Sequence, residues 1–283
     1  MSLRFFPPGI ASLANGTIDF DTDTMNIALL DLDGSPTDLA VKAITGATNA
    51  TPIVVTCTAH GFANGDIVVI RGVGGNTAAN GTWKVANQTT NTFELTTATR
   101  STALNSTGNG AYTSGGCVIN LTLGDDFADI DGCSVGTPVA LGSKTVAAAT
   151  GAVDAADPTF AAFSGDVHAW VVYEAAGKNL FFNDGRCQVI MAADAASSAT
   201  TLVVEPIEGT IASGQAIIFS NGITATLSSQ ASAGARTLAV NAISGAIAAG
   251  HTGDAPTLNN GLPLTATGNG VTITFDAAGI GTP

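Results

Sequence analysis

Residues 195–214 (AASSATTLVVEPIEGTIASG) and 231–250 (ASAGARTLAVNAISGAIAAG) carry one apolar spacing twice, at an offset of 36 residues. Leu202 matches Leu238, Val204 matches Val240 and Ile207 matches Ile243. Gly209, Ile211 and Gly214 match Gly245, Ile247 and Gly250. One such copy has too few apolar residues to bury a face alone, so the two must close on each other. Two copies fall short of the three a solenoid needs, which leaves a small duplicated β domain. Between them, QAIIFSNGITATLSSQ reads as a hairpin with Asn221-Gly222 at its tip.

A second self-contained stretch precedes it. AHGFANGDIVVIRGVGGNTAANGTWKVANQTTNTFEL (59–95) alternates short apolar runs with Gly and Asn turns. With ATPIVVTCTAHGF it supplies four strands, enough for a compact β-barrel or half-sandwich. Trp83 and Phe93 are its expected core anchors, and Phe62 its turn packing. Elsewhere, Met25, Ile27 and Leu29 alternate in one strand, while 167–174 and 179–183 form a hairpin. Val271, Ile273 and Phe275 alternate in a terminal strand.

The expected fold class is therefore all-β, an antiparallel β-sandwich-like base domain with two small inserted β modules. The base domain takes residues 1–45 with an N-terminal arm, then residues 110–190, and ends on a C-terminal strand within 256–283. Residues 46–109 and 191–255 are the inserts. Loops accept such inserts because closure entropy grows only logarithmically with length.

Charge excludes several partners. The chain holds 22 acids against 9 scattered bases, a net charge of −13. A phosphate backbone or an anionic membrane surface repels such a chain, so neither nucleic acid nor membrane is expected as a partner. Only 11% of residues are charged, far below the ~25% of an average globular domain. MSLRFFPPGIASLANG has no apolar core long enough for a signal peptide, which implies synthesis in the cytoplasm without export.

The side chains that could carry chemistry are few. Asp19, Asp21 and Asp23 match the opening of a calcium loop but lack its Gly and closing Glu, so a solvated strand entry is expected. DDFADIDG (125–132) is the densest acidic run and reads as a solvated loop. His60 precedes a Gly-Phe turn, where a ring bonded to the turn backbone is expected. Cys57, Cys117, Cys133 and Cys187 show no C-x-x-C pair; they read as buried small hydrophobes, with a Cys117–Cys133 bridge as the alternative. Trp83, Trp170 and Tyr112 could stack on sugars, but a Trp in an alternating strand is more often core. No P-loop, G-x-S-x-G or H-E-x-x-H occurs, so no enzyme, no cofactor and no metal site is expected.

Three segments resemble tailed-bacteriophage virion structural proteins. They are IDFDTDTMNIALLDLDG, AYTSGGCVINLTL, and HAWVVYEAAGKNLFFNDG with the terminal GLPLTATGNGVTITFDAAGI. The H-G-F-x-x-G-D and N-G-T-W-x-V patterns of the first insert and the TTLVVEPIEGTIASGQ repeat are similar to β units of phage head and tail proteins. The resemblance implies a particle component located in the virion: a capsid decoration protein, or alternatively a tail or collar protein. It implies itself as one partner, in a homo-oligomer such as a trimer, and the major capsid protein or other virion proteins as others. A host-glycan-binding adhesin is the alternative of a different class. Arg4, Phe5, Phe6, Pro7 and Pro8 are the expected assembly contacts, in an extended sticky arm. Edge strands of the base domain are a second expected contact.

Overall fold

The computed structural model describes residues 3–31, 40–97, 103–104, 109–146, 153–156, 158–160, 169–183, 186–207, 209–256 and 271–272. The fold is all-β and sandwich-like, with several antiparallel sheets among the described residues. The chain divides into two compact units. One holds the described residues of 41–120 and 186–258; the other holds those of 3–40, 121–185 and 259–283.

The second of these units is built on a five-stranded antiparallel sheet. Its order is Leu3–Phe5, Asn179–Asn183, Ala169–Glu174, Met25–Leu30, Ser134–Ala140. Asn179–Asn183 is buried at every position, and Ala169–Glu174 at all but the last. Both faces are therefore covered, which is why these strands read as apolar runs rather than strict alternation. Among the described residues the one α-helix, Pro7–Ala14, crosses the Asn179–Asn183 strand at close range. Prolines fill its first two positions, where no backbone donor is needed. Gly9 makes the approach possible: a Cβ there would collide with the carbonyl oxygen of Asn179.

The first unit contains a seven-stranded antiparallel sheet, ordered Val41–Ala43, Cys117–Asn120, Ile67–Arg71, Gly81–Ala86, Thr92–Thr97, Val54–Thr56, Gly46–Ala47. Its two end strands are neighbours in sequence. Residues 43 and 46 can be no more than about 10 Å apart, so the sheet must curl until its ends meet. The hydrogen bonds record the closure. Ile44 N–H donates to Gly116 O at 2.8 Å, and Thr45 N–H donates to Thr56 O at 2.9 Å, on the opposite edge. The Tyr112 hydroxyl clips the joint, within 3.1 Å of Ile44 O and 3.0 Å of Gly115 O. Inside, cross-strand partners fill the barrel: Val68 with Trp83, Val85 with Leu95, Val55 with Phe93, all buried. The strand at 117–120, expected with the base domain, lies in this barrel instead.

Residues 186–256 complete the same unit. A four-stranded sheet runs Arg186–Ile190, Thr252–Pro256, Ala216–Phe219, Thr224–Thr226, and a two-stranded one pairs Thr201–Val203 with Thr237–Ala239. Residues 186–190, also expected with the base domain, begin this module. It docks on the barrel through Gln188, whose Oε1 accepts from Thr82 N–H at 3.2 Å. Gly81, at φ +141°, leaves room for the Gln188 amide; a Cβ there would strike it.

Val271–Thr272 pairs antiparallel with Thr159–Phe160. Ile273, Phe275, Asp157 and Phe163 lie outside the described residues.

Gly9→Val is expected to force the helix off its strand and cost about 1–3 kcal/mol, the usual range for overpacking. Urea unfolding of the full chain, followed by circular dichroism, measures it.

Candidate assembly surface

The segment expected as an extended arm is a folded element. Leu3–Phe5 pairs antiparallel with Asn183–Phe181, and Phe6 N–H donates to Leu180 O at 3.1 Å. Phe5 meets Phe181 edge-on at 5.1 Å, and Phe6 meets Phe182 at 6.3 Å. Such pairs contribute about 0.5–1.5 kcal/mol beyond area burial. Phe6 is fully buried, so its ring is core and offers no surface to a neighbour. Arg4 lies within the strand, Pro7 is exposed at the helix start and Pro8 is half-buried. The Pro-Pro pair ahead of GIASLA is the sequence signal for a helix rather than an arm.

Both edges of the five-stranded sheet discourage strand addition. Leu3–Phe5 is three residues long. Ser134–Ala140 shifts register between Val135 and Val139, with Gly136 at φ +73° and Pro138 in its run. Bulges and proline are the usual protection of an edge. Among the described residues, the exposed large hydrophobics are Ile10, Val146, Val203 and Ile218, the last 63% exposed.

The chemical candidates are engaged within the fold. His60 Nδ1 accepts from Phe62 N–H at 3.0 Å, which leaves Nε2 facing Thr92 O at 3.3 Å, and the ring packs on Phe62 and Phe93. Trp83 is buried and donates its indole N–H to Ala79 O at 2.7 Å. Trp170 is buried as well. The four cysteines are buried thiols, so the alternative Cys117–Cys133 bridge is not formed. Burial pushes the Cys57 thiol up to about 11, against a smaller opposing pull from Lys42.

The acidic run differs from a solvated loop. Asp126 and Asp129 form a capping box on a 3₁₀ turn. Phe127 stacks on Tyr173 at 4.0 Å, and Asn179 N–H donates to Asp125 O at 2.9 Å. Lys178 Nζ lies 2.7 Å from Asp125 and 3.1 Å from Asp126. Carboxylate oxygens of Asp125, Asp126 and Asp129 sit within 4.8 Å of one another, with the Lys178 ammonium as counter-charge. Burial holds Asp129 above the ordinary carboxylate value. At the other expected acidic site, Asp23 closes a turn on Asp19, its carboxylate accepting from Asp19 N–H at 2.8 Å. Hydrogen bonding between the Asp19 and Asp21 carboxyls lowers the first and raises the second.

The duplicated module shows an internal symmetry. Taking 186–221 and 222–257 as the two copies, all four strand ladders join one copy to the other, while each copy has one bridge of its own, Met191 with Val204 and Leu227 with Val240. The bonds occur in exchanged pairs 36 residues apart. Ser198 N–H donates to Ile243 O at 2.9 Å, and Gly234 N–H donates to Ile207 O at 2.8 Å. Val204 N–H donates to Arg236 O and Val240 N–H to Thr200 O, each at 2.9 Å. Leu202 pairs with Leu238 and Ile218 with Asp254, each residue opposite its own counterpart. The copies are thus related by a local two-fold axis, the symmetry of a self-complementary interface.

His251 carries no motif that singles it out in the sequence. It is 5% exposed, faces the Ser220 hydroxyl at 3.3 Å, and burial lowers its pKa. Its counterpart across the two-fold is Gln215: Met191 N–H donates to His251 O and Leu227 N–H to Gln215 O, both at 2.9 Å. The signal for it lies in the aligned copies, where a His stands opposite a Gln.

No family model matches the sequence, and no curated protein matches it.

Two outcomes follow from these placements. Phe6→Ala is expected to cost about 3–5 kcal/mol, as for other buried aromatics, visible in urea unfolding under conditions where the chain is not associated. The unfolded chain binds a proton at His251 more readily than the folded one. Stability is therefore full above the ordinary His value and falls as pH drops through and below it. His251→Gln, which copies the symmetry-related residue, should fold normally and flatten that acid dependence of the thermal midpoint.

Proposed function

We propose that the protein is a non-enzymatic structural component of a tailed-bacteriophage particle, a decoration protein that stabilises the head through oligomeric surface contacts. The resemblance of its segments to virion proteins motivates this reading. The observation that carries it is the engagement of the chemical candidates inside the fold: His60 in a turn, Trp83 on Ala79 O, Asp125 and Asp126 on Lys178. What remains outward is short-stranded β surface with sparse charge, a material for contact rather than for turnover. The partners in this reading are further copies of the chain, as a closed oligomer such as a trimer, and the major capsid protein or another virion protein.

Tail or collar placement is a second reading, because the same β units serve there. The glycan-binding adhesin reading is weakened by the state of its stacking candidates: Trp83 and Trp170 are buried, and Tyr112 is half-buried with its hydroxyl bonded to Ile44 O and Gly115 O.

Quantitative mass spectrometry of purified particles encoding this chain separates these readings. Peptides at a copy number comparable with the major capsid protein would support decoration. A few copies per particle would move the protein to the tail or collar. Absence from particles would overturn the structural role.

A further inference from the structure

The two-fold relation inside residues 186–256 has a physical implication for association. All four strand ladders of the module join one copy to the other, and within a copy only a single bridge forms, Met191 with Val204 and its counterpart Leu227 with Val240. The interface between copies is therefore most of the sheet framework of the module, and it is self-complementary. The buried cluster is shared in the same way, with Leu202, Val204, Ile207 and Ile211 from one copy and Leu238, Val240, Ile243 and Ile247 from the other. The copies are joined in one chain at one place, the hairpin after Phe219. There Gly222 N–H returns to Phe219 O at 2.8 Å, Phe219 N–H bonds to Ile223 O at 2.9 Å, and Gly222 stands at φ +82°. This is a tight turn closed by a left-handed glycine, the usual three-residue hairpin connection.

We propose that this module is a site of association between copies of the protein, in which residues 186–221 of one chain pair with residues 222–256 of another. Every strand pair and every core contact of the closed module is kept in the exchanged form. Only the turn opens. Exchange also closes rings: two chains can swap reciprocally, and three can pass their second copies round a circle. The proposal names an interface that the decoration reading does not specify, and it stands or falls without that reading.

Mass action decides when exchange wins. A short connection gives the intramolecular partner an effective concentration of about mM. In dilute solution the closed form therefore dominates. Exchange is favoured where chains are arrayed at comparable density, or where the turn cannot close. Tight hinge loops are the known route by which such swaps are released.

The experiment uses full-length chains lacking Asn221 and Gly222, so that the hairpin has too few residues to reverse. Thr201 and Ala239 are direct partners across the two-fold, and both are exposed. They occupy a position without paired backbone bonds, where Cα atoms come within reach of a disulfide. One shortened chain carries Thr201→Cys and the other carries Ala239→Cys, and the two are refolded together under mild oxidation. A reporter chain of full length with both cysteines, Thr201→Cys and Ala239→Cys, should close its disulfide within one molecule and fixes the reaction conditions. The expected result is a disulfide-linked pair of the two shortened chains on a non-reducing denaturing gel, absent when either is refolded alone. Light scattering on the shortened chain without added cysteines should give a closed multiple of the mass seen for the unaltered chain. Absence of the cross-link in the mixture, while the reporter chain closes, would overturn the proposal whether the shortened chains are folded, unfolded or aggregated. A cross-link equally abundant in mixed single-cysteine chains with the turn intact, at micromolar concentration, would overturn the role given to the turn.

Discussion

Two consecutive amides, those of Ile44 and Thr45, point to opposite ends of the same sheet. The barrel exists because one short segment serves both edges. A strand edge left open would expose unpaired donors and acceptors, and this chain has little charge with which to guard one. Closure removes the edges without using charged side chains. Tyr112 and the backbone space at Gly116, whose added Cβ would press on Val73 and Ile44, hold the junction. The barrel in turn carries the platform at Gly81 and Thr82 on which Gln188 rests. A low charge content is thus compatible with a many-stranded fold when the strands find partners far along the chain.

The same rule explains what can be read from the sequence. Strands 67–71, 81–86 and 92–97 are legible because Gly and Asn turns separate them locally. The hairpin of 169–174 with 179–183 is legible for the same reason. Cys117–Asn120 points to the wrong neighbours because it is buried on both faces and shows no alternation that marks a partner. Residues 186–190 pair with 252–256, a relation that no local pattern encodes. The repeat is visible as spacing, but spacing does not show that the copies interlace strand by strand. The helix at 7–14 is hidden by its composition, since Phe-Phe-Pro-Pro suggests an extended segment until the prolines are counted as helix starts.

Of the surface, less is legible. The acidic run reads as solvated because charged side chains mostly face water; here a capping box, a stacked Phe127–Tyr173 pair and Lys178 bind it down. Phe6 reads as sticky because apolar residues near a chain end are often exposed, and its partners at 180–182 lie far along the chain. Burial of the aromatic and His candidates is a property of packing, and packing is the level that single-sequence patterns reach least well.

The interlaced duplication also sets the order of events on the ribosome. The first copy has a single bridge within itself, Met191 with Val204, and finds the rest of its strand pairing only once the second has been made. At synthesis rates of ~5–20 residues/s, the 36 residues of the second copy take roughly 2–7 s. Throughout that interval residues 186–221 are a committed half without its complement, while neighbouring ribosomes on the same message carry identical halves. The speed with which Asn221-Gly222 turns the chain back is then more than a detail of a hairpin: it decides whether the newly made half is met first by its own chain or by its neighbour's.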